Sequence, residues 1–202
     1  MRSLVLAVLF AACAAVPTID RATVLRHSAE CVVCVRAVGG HGSGTVVDCR
    51  SRFDGSYDVS VLTAKHVADL GGLVVLGSSA TVTSTHPALD AAVIHVVLPF
   101  PVRVARMRPT EVVVGEDLFT VGFGGGSYDR WISAGFASDV RRGGSVCPGD
   151  SGGGVFDAAG MFVGVITMVD SVGISLVMHH GHFQPVTELR EWLDGFMPRP
   201  HR

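Results

Sequence analysis

Among its 202 residues the chain has a single lysine, Lys65, and only 17% of its residues are charged. A formal net charge of −2 leaves no basic surplus to neutralise a phosphate backbone, which argues against a nucleic-acid partner. Arg103, Arg106 and Arg108 fall in one segment and read as a solvated linker rather than a binding patch. Beyond the N-terminus no apolar run approaches membrane-spanning length without a charge or a glycine, so no transmembrane span is expected after leader removal. Gly40-His41-Gly42-Ser43-Gly44 has no Gly-Lys-Ser/Thr or helix-forming stretch behind it, which excludes a phosphate loop and leaves a hairpin turn. His179-His180-Gly181-His182 has no cysteine or acid at ligand spacing, so neither a metal nor another cofactor is expected.

What is present begins with a leader. Met1-Arg2-Ser3 is a basic start, Leu4 to Ala15 is an apolar run, and Val16-Pro17 follows. This is the pattern of a secretory signal peptide over residues 1–15, with small-x-small cleavage sites at Ala12-Cys13-Ala14 and Cys13-Ala14-Ala15. It predicts a secreted or cell-envelope protein. Phe10-Ala11-Ala12-Cys13 is an alternative, a lipoprotein box anchoring Cys13, weakened by Phe10 where leucine is usual. Removing the leader leaves four of five cysteines, an even count that suits disulfides in a secreted chain. Cys34 and Cys49 flank the glycine-rich Gly39–Gly44 stretch symmetrically, so a hairpin there predicts a Cys34–Cys49 bridge, with Cys31 and Cys147 left unassigned. Cys31-Val32-Val33-Cys34 lies among apolar neighbours and reads as strand rather than as a redox pair at a helix start.

The mature chain is strand-rich and punctuated by turns. Strands are predicted over 31–38, 44–49, 57–63, 73–76, 80–84 and 91–97, then over 111–114, 118–123, 132–136, 154–156, 161–168 and 173–178. Two sets of six predict an all-β protein of two six-stranded antiparallel barrels. The expected plan is an N-terminal segment over 16–30, a first barrel over 31–98, a linker over 99–110 with its prolines, and a second barrel over 111–184. A helix over 185–196 follows, opened by Pro185, with Val186, Leu189, Leu193 and Phe196 at helical spacing, then a tail over 197–202.

The chemistry concentrates in Cys147-Pro148-Gly149-Asp150-Ser151-Gly152-Gly153. Glycines permit a tight turn that aims the Gly149 and Ser151 N–H groups at one point, where an oxyanion would form. A serine hydroxyl needs a base to become a nucleophile, and histidine titrates near neutrality. Thr63-Ala64-Lys65-His66-Val67 follows the apolar run from Val59 to Leu62, and Leu89-Asp90-Ala91-Ala92-Val93 opens another strand. The order His66, Asp90, Ser151, with these three segments around them, resembles the trypsin/chymotrypsin-like serine proteases. The resemblance implies Ser151 as nucleophile, His66 as general base and then acid, Asp90 as its orienter, and Gly149 with Ser151 as oxyanion donors. It also implies a chymotrypsin-like pair of barrels and a buried ion pair holding Asp150. The short gaps between the three residues are similar to those of compact bacterial and viral members. The family's animal disulfide scheme does not carry over, because Val67 follows His66 and no cysteine follows Cys147.

Further segments narrow the relatives. Gly42-Ser43-Gly44-Thr45-Val46-Val47, Ile132-Ser133-Ala134-Gly135-Phe136 and the stretch from Ser151 to Thr167 resemble the bacterial Deg-type, high-temperature-requirement proteases. Alignment from Ser151 implies a specificity pocket based on Ser145 and Val146 and walled by Thr167, Met168 and Val169. With no acid at Ser145 and a bulky Val169, small or medium apolar side chains are expected before the scissile bond. Thr167 is expected to brace Asp90. No Ile-Val-Gly-Gly start exists to supply Asp150 with a freed N-terminal amine, which leaves Arg141 or Arg142 as its expected partner. A protein or peptide substrate and a monomeric state complete the expectation. The alternatives are a non-catalytic binding module on the same fold and a viral or phage protease that processes one partner. An esterase is disfavoured although Gly149–Gly153 matches Gly-x-Ser-x-Gly, because there the acid and histidine follow the serine.

Overall fold

The computed structural model describes residues 20–169 and 179–196. Six strands form a first closed barrel: β1 (Val32–Ala37), β2 (Gly40–Ser51), β3 (Tyr57–Thr63), β4 (Val74–Val75), β5 (Ser78–Thr85) and β6 (Ala92–Leu98), in the spatial order β1-β2-β3-β6-β5-β4. A second closed barrel is built from β7 (Asp117–Gly122), β8 (Trp131–Asp139), β9 (Arg142–Val146), β10 (Gly154–Asp157), β11 (Phe162–Val169) and β12 (His179–Pro185), ordered β10-β11-β12-β9-β8-β7. Helices are few: α1 (Arg21–Glu30), the one-turn α2 (Lys65–Ala68) and α3 (Val186–Asp194). The two six-stranded barrels and the C-terminal helix are the architecture the strand pattern predicted.

β-Branched residues dominate the inward positions, as a pleated, half-buried surface favours. In the first barrel Val35, Val46, Val59, Val61, Ile94 and Val96 form a core of their own. Between the barrels, Leu62, Val121, Phe156, Phe162 and Val165 join Leu189 and Leu193 of α3 in one apolar layer. Each such buried side chain contributes about 1.5–3 kcal/mol of transfer free energy. That layer presses the two barrels together along the seam where the site lies. Trp192 extends α3 onto the first barrel: its Nε1–H donates to Ser84 Oγ at 3.2 Å. The helix therefore bridges both barrels.

Several expectations change. The N-terminal segment contains α1, started by Asp20, whose carboxylate accepts from the Thr23 N–H at 3.3 Å. Residues 111–114 are not a strand; β9 takes that place in the barrel, built on Arg142-Gly143-Gly144, which reads as a turn in sequence. Its glycines serve close approach: a Cβ at Gly143 would lie 2.9 Å from Phe136 O, and at Gly144 2.6 Å from Thr120 Cγ2. The expected strand over 173–178 lies outside the described residues. β12 begins at His179, and the four residues from His179 to His182 are strand residues.

The Cys34–Cys49 bridge is overturned: Cys31, Cys34, Cys49 and Cys147 are all free thiols. The hairpin turns at residues 38–39, where Gly39 has φ +82°, not within Gly40–Gly44, which are β2 residues. That three-residue offset puts Cys34 opposite Ser43 and Cys49 opposite Val59. Burial pushes the Cys31 thiol up to about 11, so it behaves as a small apolar group. Two arginines of the segment between the barrels are paired. Arg108 forms a two-pronged pair with Glu116 at 2.9 Å on both prongs, and Arg103 pairs with Glu30 at 2.8 Å.

Candidate active site

Strand pairing brings the first two site residues together. β3 and β6 run antiparallel with Thr63 opposite Ala92, so the residues just past one strand and just before the other are neighbours. Those residues include His66, carried on α2, and Asp90. The Asp90 carboxylate takes two bonds from His66: Oδ2 lies 2.8 Å from Nδ1, and Oδ1 accepts the backbone N–H at 3.0 Å. A carboxylate acceptor at Nδ1 assigns the proton there and leaves the Nε2 lone pair free. The hydrogen bond with Asp90 raises the His66 pKa above 6.5, against the opposing effect of partial burial. Burial works against ionisation of Asp90, yet the His66 ring and backbone bonds, its charge and the Lys65 N–H together hold the carboxyl below its ordinary value. The side chains stay 52% and 33% exposed, so solvent screens the pair.

The Cys147–Gly153 loop joins β9 to β10 and turns through two glycines with positive φ, Gly149 at +100° and Gly152 at +88°. Its anchor is Asp150, only 1% exposed. Asp150 Oδ2 accepts the Cys147 N–H at 2.7 Å, and Oδ1 accepts the indole N–H of Trp131 at 2.6 Å. Burial raises its pKa to about 6, and the Cys147, Trp131 and Gly124 donors pull the other way. Among the described residues the expected ion pair is not made: Arg141 binds Glu188 at 2.8 Å and Arg142 lies 3.6 Å from Asp139.

Two glycines make room for that carboxylate. A Cβ at Gly122 would run into Asp150 Oδ1, and one at Gly124 would lie 2.6 Å from the same oxygen. Gly124→Ala is therefore expected to displace Asp150, as overpacking costs about 1–3 kcal/mol. Its urea midpoint should fall and its reaction with an active-serine probe should slow at least tenfold. A variant that matches the wild type in both would show the cradle to be slack.

Ser43, which reads as a turn residue in the sequence, is a fully buried junction. Its N–H donates to Ser151 O at 2.7 Å and its Oγ donates to Gly149 O at 2.8 Å. The same Oγ accepts the Phe123 N–H at 2.9 Å, and its carbonyl accepts Thr63 Oγ1–H at 2.7 Å. One residue of β2 thus ties both ends of the Ser151 turn to the second barrel and to the strand leading to His66. The Gly-Ser-Gly stretch was the only sequence signal for it. Trp131 carried none.

The loop abuts the His66 segment closely. Gly152 has no space for a Cβ against Ser43 O and Thr63 Oγ1, and such a Cβ would lie 3.0 Å from Ala64 N. Among the described residues, Ser151 Oγ and His66 share no hydrogen bond, and the Gly149 and Ser151 N–H groups meet no acceptor. Ser145 and Val146 end β9. Val146 is buried in the second barrel's core with Leu118 and Phe183. The Ser145 carbonyl accepts from Thr120 Oγ1 at 2.9 Å. Thr167 Oγ1 donates to His182 O at 3.4 Å rather than bracing Asp90. Met168 and Val169 complete β11.

Two closed six-stranded barrels with a His–Asp pair and a tight serine loop at their seam define a trypsin-like peptidase fold. A family model described as a trypsin-like peptidase domain matches residues 33–165, and the chain belongs to that family. Among solved structures it is similar to the serine endoprotease from Yersinia pestis, with a TM-score of 0.70 and 19% identity over 88% of this chain and 66% of that one. It is similar also to the HtrA-type protease AlgW with a tripeptide, with a TM-score of 0.73 and 18% identity over 90% of this chain and 64% of that one. The chain thus spans just under two thirds of the length of both. No curated protein matches it.

Proposed function

We propose that the protein is a secreted serine endopeptidase using His66, Asp90 and Ser151. The observation that carries this is the His66–Asp90 pair at 2.8 Å beside a serine turn whose Gly149 and Ser151 N–H groups are free to donate. In this reaction Ser151 Oγ attacks the substrate carbonyl carbon while His66 Nε2 takes its proton. Asp90 stabilises the imidazolium, and the two N–H groups receive the charge on the carbonyl oxygen. His66 then protonates the departing amine, and water hydrolyses the ester left on Ser151. The tripeptide in the AlgW structure supports a peptide as the ligand. The leader over residues 1–15 supports secretion.

Labelling of the purified protein by a fluorophosphonate at neutral pH tests the chemistry. Stoichiometric label on Ser151 is expected, and no label would favour a non-catalytic binding module. For specificity we propose small or medium apolar residues before the scissile bond, supported by the neutral Ser145 on β9. A peptide library showing dominant cleavage after Lys, Arg or Glu would sink that preference.

A further inference from the structure

Among the described residues, Asp150 is a buried carboxylate whose bonds come from neutral donors. Each is an N–H of the second barrel or of the loop itself: Cys147, Gly124 and Trp131. Two are backbone groups that any sequence would supply. The indole N–H is the one that side-chain chemistry chose. A lone buried carboxylate is costly unless hydrogen-bonded, and removing one partner of such a group leaves an unsatisfied charge. Register explains why Trp131 reaches it. Trp131 opens β8 directly opposite Gly122 of β7, and Gly122 is one of the two glycines that give the carboxylate its space. Gly125 N–H also donates to Pro148 O at 3.0 Å, closing the same cradle over the turn.

We propose that Trp131 is the positioning residue of the nucleophile turn, its indole N–H doing for Asp150 what a cation would otherwise do. On this basis the turn is set without a freed N-terminal ammonium, and once the leader is removed competence does not wait on further trimming of the N-terminus. Trp131 acts through Asp150: with Oδ1 held by the indole and Oδ2 by the Cys147 N–H, the Asp150 backbone is fixed between the two oxyanion donors, Gly149 and Ser151. The proposal rests on the serine-endopeptidase reading, so its test includes a measurement that does not depend on activity.

The test compares wild type, Trp131→Phe and Trp131→Arg in their rate of fluorophosphonate labelling. Phe keeps an aromatic ring without the donor, and Arg restores a donor without the ring. Labelling of Trp131→Phe is expected to fall 10–100-fold at unchanged far-ultraviolet circular dichroism, with Trp131→Arg recovering to within a fewfold of wild type. The second arm uses the only other tryptophan, Trp192. In a Trp192→Phe background, Trp131 fluorescence is expected to titrate with Asp150 as pH falls through about 6. The other titratable groups beside the carboxylate are His41 of β2 and Cys147 of the loop. The transition should survive His41→Gln and Cys147→Ser and vanish in Asp150→Asn.

Labelling of Trp131→Phe within twofold of wild type would overturn the proposal. So would a Trp131→Arg variant as slow as Trp131→Phe, which would credit the ring's bulk. Labelling of the leader-free chain that appears only after a further N-terminal cleavage would overturn it equally. If wild type does not label at all, the endopeptidase reading fails, and the fluorescence titration alone decides whether Trp131 reports on Asp150.

Discussion

Ser151→Ala is expected to lower turnover of a peptide substrate by about 10⁶-fold, because a methyl group cannot form the acyl bond. The loss should lie in kcat, since the methyl group leaves the Gly149 and Ser151 N–H groups and the loop's anchor at Asp150 in place. Fluorophosphonate incorporation should disappear with it. The fold should persist: Ser151 O still accepts from the Ser43 N–H, and Asp150 keeps its three donors. Residual turnover above about one part in a thousand of wild type would point to another nucleophile and remove Ser151 from its role.

Asp90→Asn is the second large effect, expected to cost about 10⁴-fold in turnover. The geometry gives the reason. Asp90 uses both oxygens as acceptors, one for the His66 backbone N–H and one for Nδ1. Asparagine has one carbonyl oxygen. With that oxygen on the backbone N–H, its NH₂ faces Nδ1 and forces the ring proton onto Nε2, the wrong tautomer for accepting a proton from Ser151. Rate–pH profiles check this directly. In the wild type the base is His66 in its neutral form, so activity should rise with pH through a pKa above 6.5. Asp90→Asn removes the main cause of that raised value, so the remaining activity should have its acid limb at lower pH. A loss under tenfold, or an unmoved acid limb, would show that Asp90 does not orient the base.

The same pair has a stability window with a definite sign. The raised His66 pKa means its contribution is complete below 6.5 and fades as pH climbs through the folded value. The lowered Asp90 pKa means its contribution is present above 3.8 and fades as pH falls through the folded value. The pair therefore supports the fold most between mildly acidic and near-neutral pH, the range in which the base is partly protonated and catalysis is submaximal.

How far the chain was legible depended on the scale of the interaction. His66 and Asp90 each sit beside a strand whose apolar alternation marks it, and β3 paired with β6 is enough to bring them together. The five inward-facing valines and the isoleucine of the first barrel are read the same way. The failures have a common origin. Arg142-Gly143-Gly144 reads as a turn because glycine breaks local patterns, yet its role is steric and set by Leu118, Thr120 and Phe136 on other strands. The cysteine pairing failed because a hairpin centre displaced by three residues changes every cross-strand partner. The sequence points to Arg141 or Arg142 as the partner of Asp150, and the fold supplies an indole through the Gly122–Trp131 register.

Sequence alone determined the two-barrel class, the C-terminal helix, and the His66, Asp90 and Ser151 candidates, because strand alternation and the motifs around those residues are local properties of the chain. Only the tertiary structure decided what holds the serine turn: Ser43 across the barrel seam, Trp131 behind Asp150, and the room that Gly122 and Gly124 leave for the Asp150 carboxylate. These are contacts between residues about 20 to over 100 positions apart. Burial and strand register create them, and neither can be read from a residue's neighbours in the chain.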